Sequence, residues 1–386
     1  MVRFDSRLVE AGDIFVCLPR GEAFIPDALI RGAKAYILSD RPGLARFANI
    51  IYDAPSKRCT VIGITGTNGK TTTSYLVAEG LRQAGFKPFV LGTLNADLTT
   101  PESLETLRLM RDHIEQGGTH FVMEVSSHAI DQGRIEGIDF DVKLLTNITQ
   151  DHLDYHGTFE NYRKTKLSFL SAGPSLYPED YQAVPLPGAT SLKGRFNYRN
   201  AQAAAAILRH CKVDDSAIVR ALAAFKAPPG RFECIEEGQP FLVIVDYAHT
   251  PDGLENILQE ARHLADERNG RVLTVFGCGG DRDRGKRPKM GAVAQQYSDF
   301  FVITQDNPRS EDENQIVDDI LAGVSKNYEV IDDRRRAIEK AIGAAGPSDV
   351  VVLAGKGHET YQILKSGKIH FDDREVAREA IRKVSS

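Results

Sequence analysis

The chain has 386 residues, 42% of them hydrophobic and 26% charged, an ordinary globular balance that excludes a disordered, collagenous or coiled-coil protein. Lys plus Arg number 48 against 53 Asp plus Glu, a net charge of −5, so nothing asks for nucleic acid or an anionic membrane as a partner. No apolar run approaches the roughly 18 residues of a spanning helix, the first residues carry no apolar signal region, and the five cysteines form no CxxC pair, so a reducing cytosol without disulfides is expected.

Strand and helix patterns alternate through most of the chain, which predicts an α/β protein with largely parallel sheets. Residues 1–58 read as a small α/β unit, with strands at 13–18 and 35–38 around a short helix that follows Pro26-Asp27 and stops at Gly32. A second unit, 59–227, opens on a buried strand at 60–65 and continues through strands at 121–125 and 142–146. The stretch 172–193, rich in Pro, Gly and Ser, reads as irregular, and a helix with an Ala-rich face is expected over 198–211. Ala227-Pro228-Pro229-Gly230 is the clearest linker, because neither proline can continue a helix. The third unit, 228–386, carries strands at 241–245, 271–276 and 349–353 with helical patterns between them, a second nucleotide-type fold.

The strand ending at Thr65 runs into Gly66-Thr67-Asn68-Gly69-Lys70-Thr71-Thr72-Thr73 and a helix that ends near Gly85. Such a turn aims backbone N–H groups at phosphate, and the helix N-terminus adds positive potential. Lys70 would bridge the outer phosphates and the Thr71 hydroxyl would hold Mg²⁺, so ATP and magnesium are the expected cofactors. Five residues separate Gly63 from Gly69, one more than the standard phosphate loop allows. The run from Gly277 to Arg287 also follows a strand, but Arg282 takes the third glycine position of a dinucleotide fingerprint, so NAD is not expected.

The core G-T-N-G-K-T resembles the Mur ligase family, ATP-dependent enzymes that add amino acids to peptidoglycan precursors. Four-letter and longer words follow in the family's order: Glu124-Val125-Ser126-Ser127-His128-Ala129, Asp151-His152-Leu153-Asp154-Tyr155-His156-Gly157, Asp306-Asn307-Pro308-Arg309 and Gly355-Lys356-Gly357-His358-Glu359. With Thr99-Thr100-Pro101 they look like the branch that adds the third residue to a UDP-N-acetylmuramoyl dipeptide, and the resemblance covers nearly the whole chain. It implies a three-domain α/β architecture. A truncated UDP-sugar-type domain (1–58) would precede a central P-loop ATPase-type domain (59–227) and a C-terminal, Rossmann-like amino-acid-binding domain (228–386). It also implies carboxylate activation, in which ATP phosphorylates the donor carboxylate and the acceptor amine attacks the acyl-phosphate. Positioning and cations dominate such chemistry.

Residue by residue, the resemblance implies a catalytic set of Lys70, Glu124, His152 and Lys166. Glu124 would bind magnesium with Thr71, His152 a second magnesium, and Lys166 would act as a carbamate able to bridge a metal. Asn147 would line the same pocket. Asn197 and Asn200 would contact adenine, though Asn197 could equally cap the helix start. Arg231 is implied on the phosphates and Asp246 on the ribose, so that the third domain closes over the second about residues 227–230. Donor-side positions are Ser6, Thr99, Thr100, Pro101, Ser126 and Arg134. Acceptor positions are Arg284, Asp306, Asn307, Arg309, Gly355 and Glu359, and the basic run around Arg284 suits anionic substrate groups. In the family the chain resembles, an arginine at the place of Arg309 accompanies meso-diaminopimelate, which implies that Arg309 would hold the distal carboxylate by two hydrogen bonds while Glu359 could hold the distal ammonium. Without the family, Arg309 would simply pair with Glu311 or Asp312. The implied partners are small molecules, the UDP-muramoyl dipeptide and meso-diaminopimelate, acted on by a cytoplasmic monomer.

The donor side departs from the family's pattern: the first unit, the loop 20–25, the stretch 92–98 and the segment between Lys166 and Phe196 are all short. Two readings follow, a streamlined enzyme with the usual donor or a paralogue using another carboxylate donor. A P-loop NTPase without ligation and a non-catalytic scaffold descended from a ligase are the remaining alternatives, and the intact set of metal ligands argues against the scaffold.

Overall fold

The computed structural model describes residues 1–384. Three sheets follow one another along the chain. The first joins β1 (Val2–Arg3), β2 (Ile14–Cys17) and β3 (Ala35–Leu38), all parallel. The second has the order β5-β6-β4-β7-β8, from β4 (Thr60–Thr65), β5 (Pro88–Leu91), β6 (His120–Glu124), β7 (Val142–Leu145) and β8 (Ser175–Leu176), again all parallel. The third has the order β13-β12-β11-β14-β10-β9. It comprises β9 (Glu233–Cys234), β10 (Leu242–Asp246), β11 (Val272–Phe276), β12 (Phe300–Ile303), β13 (Tyr328–Val330) and β14 (Val350–Ala354), and only β9 runs antiparallel. A hairpin, β15 (Tyr361–Leu364) with β16 (Gly367–His370), lies outside it.

Apart from β12, which was not expected, the central strands are the apolar runs that the sequence marks out, because a parallel strand covered by helices on both faces has no polar side. Val61, Ile62, Ile64, Phe121, Val122 and Met123 are all fully buried. The stretch 172–193 is not wholly irregular: β8 adds an edge to the second sheet, and a helical turn, Pro178–Tyr181, follows it. The Ala-rich helix begins at Arg195, three residues earlier than expected. Ala201, Ala204 and Ala205 on that helix let it approach the helix Lys70–Gln83 closely, where a Cβ on Gly80 would run into Leu208. The first sheet shares its core with the second unit, since Val16, Leu44 and Ala48 pack in one cluster with Val61, Leu107 and Phe121.

Both large sheets present the C-terminal ends of their strands to the junction between them. That is where open α/β sheets place ligands.

Candidate active site

The loop after β4 is tight for a steric reason. Gly66 has φ +141° and Gly69 φ +85°; a Cβ on the first would strike the Thr146 hydroxyl and on the second the Asn200 amide. The loop is pinned from behind by the exit of β7. Asn147 Oδ1 accepts the Asn68 N–H (3.0 Å) and its Nδ2 donates to the Asn68 carbonyl (3.1 Å), to which the Thr146 hydroxyl also donates (2.7 Å). Asn147 therefore shapes the loop as well as lining the cavity. The Lys70 ammonium donates to the carbonyls of Gly66 (2.9 Å) and Thr67 (2.8 Å), and burial lowers its pKa.

Glu124, the last residue of β6, is fully buried. Its Oε2 accepts from the hydroxyls of Thr71 (3.1 Å) and Thr93 (3.0 Å), and its Oε1 from the Thr93 N–H (3.2 Å). Thr93 lies in the shortened stretch and carried no signal in the sequence. From beyond the linker, Arg231 Nη2 donates to Thr71 Oγ1 (3.3 Å), while its guanidinium lies 4.4 Å from the Tyr247 ring centre and its Nε is buried without a partner.

His152 stands in the left-handed region, φ +52°, with Nε2 3.3 Å from Asp151 Oδ2. His249 of the third unit approaches the same oxygen, at 4.0 Å. Burial holds both imidazoles well below their ordinary pKa, His249 down to about 4. Against the cost of its own burial, Asp151 is kept below the usual carboxylate range by His152, His249 and Lys286. The Lys166 amine is buried, donates to the Gly66 carbonyl (2.9 Å) and lies 5.0 Å from the Tyr162 ring centre. Burial, then the neighbouring Lys70 charge, push its pKa well below the ordinary lysine value.

Lys70, Thr71, Glu124, Asn147, His152, Arg231 and His249 line a cavity of about 330 Å³ at the junction of the second and third units, with Lys166 buried behind it. Asn197, Asn200 and Asp246 line it too. Asn197 is not a helix cap: Gly194 holds that position, and Asn197 sits in the first turn, donating to the Lys193 carbonyl (2.9 Å) and accepting from Asn200 Nδ2 (3.2 Å). Both Asp246 oxygens accept backbone N–H groups, from Phe232 and Ala248, each at 2.7 Å.

Five of the six donor-side positions form one knot beside Glu124. The Thr100 hydroxyl donates to the Glu124 carbonyl (2.9 Å) and accepts the Ser126 N–H (3.0 Å); Arg134 Nη1 donates to the Thr100 carbonyl (3.1 Å). Thr99 shares a hydrogen bond with Thr93 (3.1 Å), and Pro101 follows Thr100, both buried. Ser6 lies apart, buried in a turn of the first unit.

Of the acceptor positions, Asp306, Asn307, Gly355 and Glu359 meet at the loop after β14, while Arg284 and Arg309 are held elsewhere. Asn307 Nδ2 donates to Glu359 Oε2 (2.9 Å), and Gly355, at φ +113°, lies against Asp306, whose Oδ2 a Cβ would meet at 2.8 Å. Arg309 does not pair with Glu311 or Asp312. It donates through Nη1 to the carbonyls of Gly280 (2.8 Å) and Asn307 (3.3 Å), while Glu311 is gripped by buried Arg287. Arg284 is engaged by Asp319 (2.9 and 3.0 Å) and Arg287 by Glu311 and Asp319, so two of the four cations of the basic run are ion-paired within the third unit. Sequence reasoning passed over Lys356. Its fully buried ammonium donates to Glu359 Oε2 (3.0 Å) and Asn307 Oδ1 (3.2 Å).

Among the described residues no three His, Cys, Asp or Glu side chains gather as a metal cage. Magnesium does not need one, since it binds through one or two protein oxygens plus phosphate and water. The Thr71–Glu124 pair, beside a phosphate loop, suits that donor set.

A loop of this kind, joined to a second α/β unit that reaches into it, defines an ATP-using ligase fold, and comparison with known proteins agrees. Residues 64–185 match the Mur ligase middle domain and residues 230–357 the Mur ligase glutamate ligase domain. The chain belongs to the Mur ligase family. It is 40% identical to the UDP-N-acetylmuramoyl-L-alanyl-D-glutamate–2,6-diaminopimelate ligase of Syntrophomonas wolfei subsp. wolfei, over 99% of this chain and 94% of that one. The ligase of the same name from Geobacillus thermodenitrificans is 41% identical over the same shares. A solved structure of a ligase of that name has 30% identity and a TM-score of 0.62, covering all of this chain and 95% of that one. MurF from Thermotoga maritima in complex with ADP shares the fold, at 18% identity and a TM-score of 0.66 over 99% of this chain and 96% of that one. The first alignment runs over 463 positions against 386 residues here, so the relatives carry segments that this chain lacks. No helix of the described residues is long and apolar enough to cross a membrane.

Proposed function

We propose that the chain is an ATP-dependent, ADP-forming ligase of peptidoglycan precursor synthesis that adds meso-diaminopimelate to UDP-N-acetylmuramoyl-L-alanyl-D-glutamate. The observation that carries this reading is the Thr71 hydroxyl, shared between buried Glu124 and Arg231 at the foot of the phosphate loop. It brings a carboxylate and a cation from two units to one point where phosphate would bind. The names borne by relatives about 40% identical over nearly the whole chain supply the substrates.

In this reading residues 1–58 form the donor-nucleotide unit, 59–227 the ATP unit and 228–386 the amino-acid unit. Lys70 would turn from its own loop carbonyls to the outer phosphate oxygens. Thr71 and Glu124 would hold Mg²⁺, which supplies charge neutralisation when bound. The donor carboxylate enters beside Thr99, Thr100 and Pro101, with Ser126 and Arg134 behind them. Arg231 faces the charge that develops on the transferred phosphoryl group. Phosphorylation makes the donor carbonyl an acyl-phosphate. The acceptor amine attacks its carbon, phosphate leaves, and the amine's proton is released. Asn307, Arg309 and Glu359 orient the acceptor. Lys356 occupies Glu359 Oε2, which leaves Oε1 for the distal ammonium. His152 and Lys166 flank the loop. Burial pushes the Lys166 pKa well below the ordinary lysine value, which favours the neutral amine, the form that would attack CO₂ and lose its proton to give a carbamate. We also infer a monomer working in the cytoplasm, where its soluble substrates are made.

Phosphate release in the presence of Mg²⁺ tests the reading. It should require ATP, dipeptide donor and amino acid together. Release with ATP alone, unaffected by the other two, would identify an NTPase instead. The short donor-side segments favour one second reading, the same chemistry on a different carboxylate donor.

A further inference from the structure

Asp252 stands in the first turn of the helix Pro251–Arg268, in the third unit, yet its carboxylate does not serve that helix. Capping falls to Thr250, whose hydroxyl accepts the Gly253 N–H at 3.0 Å. Asp252 Oδ2 instead crosses to the second unit, accepting from Asn68 Nδ2 at 2.7 Å and from Thr149 Oγ1 at 3.3 Å. Asn68 is the middle residue of the phosphate loop, and its backbone N–H and C=O are both held by Asn147. Its side chain is thus the free end of a rigid clamp. A carboxylate beside a phosphate site repels the ligand unless its charge is taken up by donors. Two donors from the ATP unit do so here. The same seam continues at Gln150, which donates to Asp283 (3.3 Å) and accepts from Lys289 (2.6 Å).

We propose that Asp252 is a positioning residue that couples closure of the third unit to the shape of the phosphate loop through Asn68. When the units close, Oδ2 takes the Asn68 amide and fixes the loop for phosphoryl transfer. When they part, the loop loses that restraint. The kinetic arm of the test rests on the ligase reading above; the exchange arm does not.

The experiment is a double-mutant cycle of Asp252→Ala and Asn68→Ala, with Asp252→Asn as the variant that keeps an acceptor oxygen. Each alanine variant should lower kcat about tenfold or more while the KM for ATP moves less. The double variant should be no worse than the worse single, and Asp252→Asn should keep most of the activity. In parallel, with Mg²⁺ and ADP, hydrogen exchange over residues 66–70 should be faster in Asp252→Ala than in the parent chain. Losses that simply multiply, or unchanged loop exchange with only a lowered Tm, would overturn the proposal and leave Asp252 a helix-start residue. If the parent chain does not ligate, the exchange result still decides the proposal and the ligase reading falls alone.

Discussion

Arg231 Nη2 lies 3.3 Å from Thr71 Oγ1, so the first cation after the Pro228-Pro229-Gly230 linker touches the helix that begins at the phosphate loop. Gly230 makes the approach feasible. At φ +64° it packs against the backbone of Gly357 and His358, where no Cβ would fit. The linker is thus in contact with the loop that carries Glu359.

Arg231→Ala should therefore lower kcat by on the order of a hundredfold with little change in Tm, since under the proposed function it removes the charge that faces the transferred phosphate. Arg231→Lys should recover only part, because an ammonium cannot both stack on Tyr247 and reach Thr71. Steady-state kinetics on the three proteins decides this; equal activity of the alanine variant would remove Arg231 from the chemistry.

Lys356 holds Glu359 and Asn307 in place from beneath. Lys356→Met should raise the KM for meso-diaminopimelate tenfold or more, while the KM for ATP stays near the parent value. A uniform fall in activity without that split would mean that Lys356 only stabilises the fold.

Arg334 and Asp373 form a fully buried, two-pronged pair (2.8 and 2.7 Å), and Arg334 also donates to the Ala354 carbonyl (2.9 Å), at the end of β14 just before the acceptor loop. Arg334→Met alone should cost about 3–5 kcal/mol, because it strands a buried carboxylate, whereas Arg334→Met with Asp373→Leu should cost much less. Urea denaturation of the two variants measures the difference.

Burial lowers the His249 pKa to about 4 from an ordinary 6.5, so the unfolded chain binds a proton that the folded one refuses. The resulting stability is fully present above about pH 6.5 and is lost as pH falls from there through 4. Tm should therefore decline across that window, and His249→Gln should flatten part of the decline. An unchanged slope in the variant would assign the decline to other groups.

How much of this is legible in the sequence follows from distance along the chain. The phosphate loop was readable because strand, glycines, Lys70 and helix lie within a few residues of one another. Most central strands were readable because burial on both faces makes them continuously apolar, although β12, equally apolar and inside the third sheet, was missed. The edge strands β8, β9 and β13 were not, being two or three residues long with partly exposed faces. Asp252 gave no signal because its partner Asn68 is 184 residues away. Thr93 matters only once β6 brings Glu124 beside it. The pairing of Arg284 with Asp319 shows only once the fold sets the helix Glu313–Leu321 against it. Residue types announce chemistry that is local, while the pairings between units emerge only with the fold.

The most direct measurement is mass spectrometry of a reaction holding the protein, ATP, Mg²⁺, meso-diaminopimelate and UDP-N-acetylmuramoyl-L-alanyl-D-glutamate. A product heavier than the donor by one diaminopimelate residue, formed together with ADP, is the expected result. No such product, from folded protein that binds ADP, would contradict the assignment and point to another carboxylate donor for the same site.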